Sequence, residues 1–130
     1  MNDELAWFLL TGPEPRLRDA ARALRLAQKV VTARPESANY RNTLGVAYYR
    51  SGDDRAAVAE LERAMSLQAG GTPLDWFFLA MAHWRLGDRD KARNFFDRSV
   101  KWMARRKSND DELRRIRAEA QAMLADRGQR

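Results

Sequence analysis

The sequence predicts an all-α fold, an α-solenoid of three antiparallel helix pairs followed by a seventh helix. A helix with a central leucine, followed by a second helix with regularly placed small residues, occurs three times, with the leucines 34 and 35 residues apart. An internal repeat of this length is typical of helical solenoids, which bind partners along one surface and rarely carry chemistry. An aspartate also recurs before each second helix. The leucines are Leu10, Leu44 and Leu79, and the aspartates are Asp19, Asp53 and Asp88.

The first copy, about residues 4–36, matches the repeated pattern least well of the three. Apolar residues at helical spacing predict a helix from Asn2 to about Thr11. Residues 12–15, with two prolines, stop this helix, because proline removes a backbone donor and clashes with the preceding turn. Asp19 is predicted to cap a second helix that runs to about Ala33.

The second copy, about residues 38–70, has clearer boundaries. Its first helix is predicted over Ala38–Arg50 and is followed by a turn at Ser51–Gly52. Asp53 caps the second helix, which is predicted to run to about Gln68. The two glycines at 70–71 then supply a flexible stop.

The third copy, about residues 73–106, opens with the strongest helix-start signal in the chain. Thr72 at the N-cap, Pro73 at the first helical position and Asp75 at the third are each favoured there. A turn is predicted at residues 86–87, and a second helix, capped by Asp88, is predicted to end near residue 105.

A seventh helix is predicted over about residues 110–125. It has one apolar stripe, while its other faces are charged, as expected for a helix that covers the open end of a solenoid. No linker separates two domains, so residues 1–130 are predicted to form a single domain. The stripe consists of Leu113, Ile116, Ala120, Met123 and Leu124.

Composition favours a cytoplasmic protein that is not an enzyme. The chain lacks cysteine, its longest apolar run is Trp76–Ala82, and its beginning is acidic, so neither disulfides nor a membrane partner are expected. Its only histidine, His83, lies at a predicted core position, and Asp110–Glu112 suits the first turn of a helix better than catalysis. We therefore expect no catalytic residue, no metal and no cofactor.

The repeated motifs resemble tetratricopeptide repeats. Trp76-x2-Leu79-Ala80-x2-His83 with Ala92-x3-Phe96 is the clearest copy, and Arg41-x2-Leu44-Gly45-x2-Tyr48 with Ala57-x3-Leu61 is the next. Longer stretches, such as YRNTLGVAYYRSGD and DWFFLAMAHWRLGD, are similar to the C-terminal repeat module of large bacterial serine/threonine kinases and propeller-containing signalling proteins. The resemblance implies a right-handed superhelix and a scaffold role in a larger signalling protein.

The resemblance also assigns a set of side chains to the inner face of the superhelix, where the family binds peptides. Phe77, Met81 and Trp84 are spaced by four and three residues and so share one helix face. Two interpretations stay open: an aromatic groove that takes a peptide or protein segment, or a patch covered by the last helix or by a second copy of the chain. The assigned residues are Leu5, Phe8, Asn39, Asn42, Val46, Tyr49, Arg50, Leu74, Phe77, Met81, Trp84 and Arg85.

One known activity of the family is not expected here. Some tetratricopeptide repeats grip the acidic C-terminus of chaperones with a clamp of lysine, asparagine and arginine side chains. None of the residues at the matching positions can provide that clamp. These residues are Phe8, Gly12, Thr43, Leu74 and Phe78.

Basic surfaces offer a second functional hypothesis, because the net charge is +6. Arg18, Arg22, Arg25 and Lys29 form one stripe on the second helix, which could bind nucleic acid or an acidic partner. The stripe has no interleaved aromatic residues, so a solvated outer face is preferred and nucleic acid is not favoured. Self-association is a third hypothesis, which leaves monomer and homodimer open. A second basic region contains Arg105, Arg106, Lys107, Arg114, Arg115 and Arg117.

Overall fold

The computed structural model describes residues 2–125, and these confirm the all-α fold class. Within this range the chain forms seven α-helices, one short 3-10 helix at Pro15–Leu17 and no strand. No described helix is both long and apolar enough to span a bilayer. The α-helices are α1 (Asn2–Thr11), α2 (Ala20–Ala33), α3 (Ala38–Arg50), α4 (Asp54–Leu67), α5 (Pro73–Arg85), α6 (Arg89–Arg106) and α7 (Asp111–Ala125).

The helices group into two compact units, the first ending at Gly71 and the second beginning at Thr72. In the first unit α1 packs against α2, α3 packs against α4, and α3 also contacts both α1 and α2. In the second unit α5 packs against α6, and α7 lies against both of them. Each unit therefore has its own helical core, and the single domain over 1–130 stays a prediction.

The three recurrent aspartates cap the second helix of each pair, as predicted. One carboxylate oxygen of Asp19 accepts a hydrogen bond from the Arg22 amide at 3.1 Å. Asp53 and Asp88 do the same with the amides three residues later, at 3.1 and 3.2 Å. These bonds satisfy amide donors that have no partner within the helix, and they fix where α2, α4 and α6 begin.

The start of α5 is a complete capping box, which also confirms the sequence prediction. The Asp75 amide donates to the Thr72 hydroxyl oxygen at 3.3 Å, and the Thr72 amide donates to Asp75 Oδ2 at 2.9 Å. Pro73 occupies the first position of the helix, where its missing amide hydrogen is not needed.

The turns between the paired helices α3–α4 and α5–α6 have the same geometry. Gly52 and Gly87 both adopt φ of about +90°, a conformation that favours glycine. In each turn the following aspartate amide donates to a helix carbonyl five residues earlier, at 2.9 Å. The predicted turns at 51–52 and 86–87 are thus confirmed.

Close packing of α3 on α4 depends on Gly45. A Cβ atom added at this position would lie 2.7 Å from Leu61 Cγ and 3.3 Å from the Leu61 backbone nitrogen. Leu61 is fully buried, so it has little room to move aside. The missing side chain at 45 therefore sets the distance between the two helices.

Several ends differ from the sequence predictions by one residue. Asp110 precedes α7 instead of starting it, and its Oδ1 accepts from the Leu113 amide at 2.9 Å. Helix α6 continues through Arg106, and Lys107 then adopts a left-handed conformation with φ of 50°. The 3-10 turn after α1 was not predicted, because the proline signal marks the end of a helix without specifying the conformation of the next residues.

Candidate interaction surfaces

Burial divides the residues that the family resemblance assigns to the inner face. Five are in the interior: Asn42, Val46, Tyr49, Phe77 and Met81. The other seven are half-buried or exposed: Leu5, Phe8, Asn39, Arg50, Leu74, Trp84 and Arg85. Because buried side chains cannot contact a partner without rearrangement, only the second group is available for binding as the structure stands.

In the first unit, two of the assigned side chains on α3 are used to hold α1. Asn39 Nδ2 donates to Asp3 Oδ2 at 3.2 Å, near the start of α1. Arg50 Nε donates to the Leu10 carbonyl oxygen at 3.0 Å, near the end of α1. This hydrogen bond satisfies a carbonyl at a helix C-terminus, where cations are favoured.

Phe8 is the most exposed of the large hydrophobic residues in the described part of the chain, at 47%. Its ring lies near Gly12, where an added Cβ would be 3.2 Å from Phe8 Cε1. The other large hydrophobic residues with notable exposure are Leu67 and Leu86, both at 37%. Phe8 is therefore the clearest apolar contact point on the first unit.

In the second unit, the apolar inner side of α5 is covered. Phe77 is fully buried and meets Phe96 of α6 edge to face, with ring centroids 5.8 Å apart. Helix α7 also packs against α5. For Phe77 and Met81 the structure thus matches the interpretation in which helices of the same chain cover the patch.

Trp84 lies at the end of α5 beneath two arginines of α6. The Arg89 guanidinium carbon is 4.4 Å from the indole centroid, and that of Arg93 is 5.5 Å away. Arg93 Nη2 also donates to the Leu124 carbonyl oxygen of α7 at 3.1 Å. The half-buried tryptophan therefore belongs to a cluster that joins α5, α6 and α7.

His83 is a packing residue, as predicted. It is 6% exposed, and its ring stacks on Phe95 with centroids 5.8 Å apart and planes 4° apart. This parallel stacking places the imidazole between α5 and α6, away from solvent.

The predicted basic stripe on α2 is shorter than expected. Arg22, Arg25 and Lys29 are exposed and, with Leu26 and Gln28, line a shallow surface depression. Arg18 is not part of the stripe, because it precedes the Asp19 cap and its Nε donates to the Gly12 carbonyl oxygen at 3.0 Å. Arg18 therefore stabilises the segment that connects α1 and α2.

Asp3 is a buried carboxylate that was not among the predicted site residues. It is 8% exposed and lies between α1 and α3. Burial raises the pKa of its carboxyl group above the usual range, because removing the charged form from water is unfavourable. No sequence pattern marks Asp3, since acids are ordinary in the first turn of a helix.

Models of the tetratricopeptide repeat family match residues 37–69 and 76–102, which correspond to α3–α4 and α5–α6. Two of the helix pairs thus match models of the tetratricopeptide repeat. No curated protein matches the sequence. The structure resembles the tetratricopeptide repeat domain of Sgt2 from Aspergillus fumigatus with a TM-score of 0.65 at 19% identity, over 98% of this chain and 82% of that one. At this identity the similarity shows the fold alone.

The repeat at 37–69 has a charged residue at one of its motif positions. Arg41 stands where the repeat at 76–102 has Trp76. Its Nη1 forms an ion pair with Glu60 Oε1 at 2.9 Å, and its Nε donates to the Pro35 carbonyl oxygen, also at 2.9 Å. Both charged side chains are largely buried, so the pair replaces an apolar contact between α3 and α4.

The residues that the family resemblance matches to the chaperone clamp include no lysine, asparagine or arginine. Thr43 and Phe78 are buried, and Thr43 Oγ1 donates to the Asn39 carbonyl oxygen at 3.1 Å. Leu74 and Phe8 offer no hydrogen-bond donor. The absence of clamp binding stays a prediction.

The arginine–tryptophan pairs of the second unit were not predicted from the sequence. The Arg98 guanidinium carbon is 4.3 Å from the Trp76 ring centroid, and that of Arg106 is 5.1 Å from the Trp102 centroid. With Trp84, all three tryptophans after Gly71 have an arginine over the ring. The Trp102–Arg106 pair is spaced i,i+4, so that signal was available in the sequence.

Proposed function

We propose that this chain is a non-catalytic interaction module that binds a peptide or protein segment and serves as a scaffold within a larger signalling protein. Tetratricopeptide repeats are generally protein–protein interaction modules, and two of them are recognised here. Composition and the resemblance to bacterial kinase-associated repeat modules support a cytoplasmic location and a signalling context.

The exposure of Phe8 carries this proposal. A large aromatic side chain that is nearly half exposed on the first helix, at an inner-face position of the repeat pattern, is a typical anchor for a partner. Burying the exposed part of such a ring stabilises a complex by about 1 kcal/mol or more, given ~25 cal/mol per Å² of apolar surface. Leu5 and Asn39 on the same unit are the other accessible assigned positions.

In the second unit the accessible assigned positions are Leu74, Trp84 and Arg85. We propose that they provide a separate set of contacts, in which Arg85 binds a carboxylate or another anionic group. Arginine suits this role because its planar guanidinium donates two parallel hydrogen bonds.

The test is a peptide-display selection on the wild-type protein, followed by affinity measurements on variants. Phe8→Ser should weaken the selected peptides by about tenfold, since a central aromatic anchor contributes at least ~1–2 kcal/mol. Leu67→Ser is the matched control, because Leu67 is also an exposed large hydrophobic residue but lies on α4. Tyr49→Ala is unsuitable, since Tyr49 is 2% exposed and its removal would open a cavity.

Equal affinity of all selected peptides for wild type, Phe8→Ser and Leu67→Ser would contradict the proposal. Light scattering coupled to size exclusion, repeated at several protein concentrations, separates a further outcome. A mass near twice 15.0 kDa that returns to the monomer value in Phe8→Ser would show that a second copy occupies this surface, and would replace the peptide proposal with self-association.

A further inference from the structure

The α2 stripe, which in the structure consists of Arg22, Arg25 and Lys29, lies on the side of the helix that faces away from the core. The buried residues of α2 are Ala23, Ala27 and Val31. Successive residues of an α-helix are turned by about 100°, which places the stripe nearly opposite these buried positions. All three cations of the stripe are exposed, so a partner can reach the whole stripe without rearrangement of the helix.

The positive charge of the α2 stripe is not balanced by acids of the same chain. Residues 20–34 contain four Lys and Arg and no Asp or Glu, although residues 1–71 contain 10 basic and 9 acidic residues in all. Among the residues that the structure describes, none of the three side chains of the stripe forms an ion pair, a hydrogen bond or a ring contact. The charges are therefore segregated on this helix, and their hydrogen-bond donors point to solvent.

The α2 stripe is unfavourable for the helix that carries it. Arg22 is the third residue of α2, in the first turn, where the helix dipole favours acids over cations. Arg25 and Lys29 are four residues apart, a spacing at which like charges destabilise a helix. A departure from local preference of this kind is expected at functional positions. An anionic partner would convert both unfavourable arrangements into favourable ones.

The spacing of the α2 stripe suits an extended chain with several negative charges. Arg22 and Lys29 are seven residues apart, which separates them by about 10 Å along the helix axis. An extended protein segment covers this distance with about three residues, at ~3.3 Å each. Half-buried Leu26 also lines the depression beside the stripe and offers an apolar contact. A segment with several carboxylates therefore matches the stripe better than a single small anion does.

Two other classes of anionic partner match the α2 stripe less well. Single-stranded nucleic acids are bound by aromatic side chains whose faces stack on bases, and the described lining of the depression contains no aromatic residue. Membrane surfaces are bound by helices whose apolar face is exposed, whereas the apolar side of α2 is buried in the core. A carboxylate-rich segment needs neither feature, and the planar guanidinium of arginine matches a carboxylate in shape and charge.

We propose that the α2 stripe binds an acidic segment of a partner protein. Arg22 and Arg25 donate to carboxylates of this segment, and Lys29 pairs with a further acid. Leu26 contacts an apolar side chain of the same segment. The site uses none of the inner-face positions of the proposed function, so the two proposals can fail independently.

The test measures fluorescence anisotropy with a labelled poly-L-glutamate peptide of about 20 residues at about 50 and 200 mM NaCl, where screening differs strongly. The double variant Arg22→Glu/Arg25→Glu should lose about tenfold or more in affinity, because two favourable charge contacts become repulsive. This variant is expected to fold, since glutamate is favoured in the first turn of a helix, where Arg22 lies. Arg55→Glu/Arg63→Glu is the matched control: it makes the same change in net charge at exposed positions of α4 in the same unit and should lose less than about threefold.

Equal losses in the two double variants would show that only net charge matters and would overturn the proposal, as would a failure of the wild type to bind the peptide. A labelled oligo-dT and a labelled DNA duplex are measured in parallel. Tighter binding of either nucleic acid than of polyglutamate, lost in Arg22→Glu/Arg25→Glu, would overturn the proposal and assign the α2 stripe to nucleic acid. Arg22→Gln/Arg25→Gln, with folding checked by circular dichroism, serves if the charge reversals unfold the protein, and it should show the same ranking with smaller losses.

Discussion

At the residue scale, single side chains determine how α3 packs against α4. Gly45 permits the contact between α3 and α4 because a methyl group there would overlap Leu61. Arg41, by contrast, fits an apolar position because Glu60 and the Pro35 carbonyl satisfy its guanidinium. A small residue was predictable from the repeat pattern, but the ion pair was not, since its partner lies 19 residues away on the next helix.

Replacing Gly45 with alanine should destabilise the first unit. Overpacking of a well-filled core costs about 1–3 kcal/mol, which is offset in part by the helix propensity of alanine, ~1 kcal/mol. We expect a net loss of roughly 1 kcal/mol in urea denaturation. In a Leu61→Ala background the same change should cost nothing or should stabilise. An equal cost in both backgrounds would show that Leu61 is not the obstacle.

Replacing Asp3 with asparagine should stabilise the protein at neutral pH. The raised pKa of Asp3 means that the folded state binds its proton more tightly than the unfolded state does. The carboxyl group therefore contributes stability below its unfolded pKa, and that contribution is lost as pH rises through the folded pKa. Asparagine keeps an oxygen that can accept from Asn39 and carries no charge at any pH.

The measurement is the free energy of unfolding of wild type and Asp3→Asn between about pH 4 and pH 7, the range above the ordinary carboxyl pKa. The advantage of the variant should grow as pH increases. Glu62→Gln is the control, because Glu62 is an exposed carboxylate on α4 and its replacement leaves Asp3 and its neighbours unchanged. A pH-independent difference for Asp3→Asn would mean that burial does not perturb this carboxyl group.

At the element scale, the helices begin where short polar side chains meet backbone amides. The start of α5 uses two reciprocal hydrogen bonds, whereas α2, α4 and α6 each use one aspartate. All four starts could be predicted because capping is local: the two partners are three residues apart. The packing of α6 and α7 against α5 could not be predicted from local signals of this kind. The apolar face of α5 is equally compatible with an open groove and with a buried contact.

Thr72→Ala should weaken the second unit by about 1 kcal/mol, the typical effect of losing an N-cap. Thr72→Ser keeps the hydroxyl group and should retain most of the stability. Thermal unfolding followed by circular dichroism at 222 nm, a helix-sensitive wavelength, would show the difference. Identical midpoints for the alanine and serine variants would mean that the Asp75 amide finds another acceptor.

At the scale of the whole molecule, the type and order of the seven helices within residues 2–125 could be predicted from the sequence, but only part of the interaction surface could. Helix order depends on periodicity and caps, which are local. Accessibility of the inner-face positions depends on which helices pack on them. For this reason Phe8 is exposed while Phe77, which the resemblance also assigns to the inner face, is buried. The Arg98–Trp76 pair could not be predicted, because its two residues come from different helices.

The two matching turns at Gly52 and Gly87 have a kinetic consequence. Each joins helices that pack against each other directly, so the largest contacts in each unit link neighbouring segments of the chain. Low contact order of this kind is associated with folding in microseconds to milliseconds, since little loop entropy is lost before native contacts form. Contacts within a helical pair are therefore expected to form early in the folding of each unit, because they join segments that are close along the polypeptide.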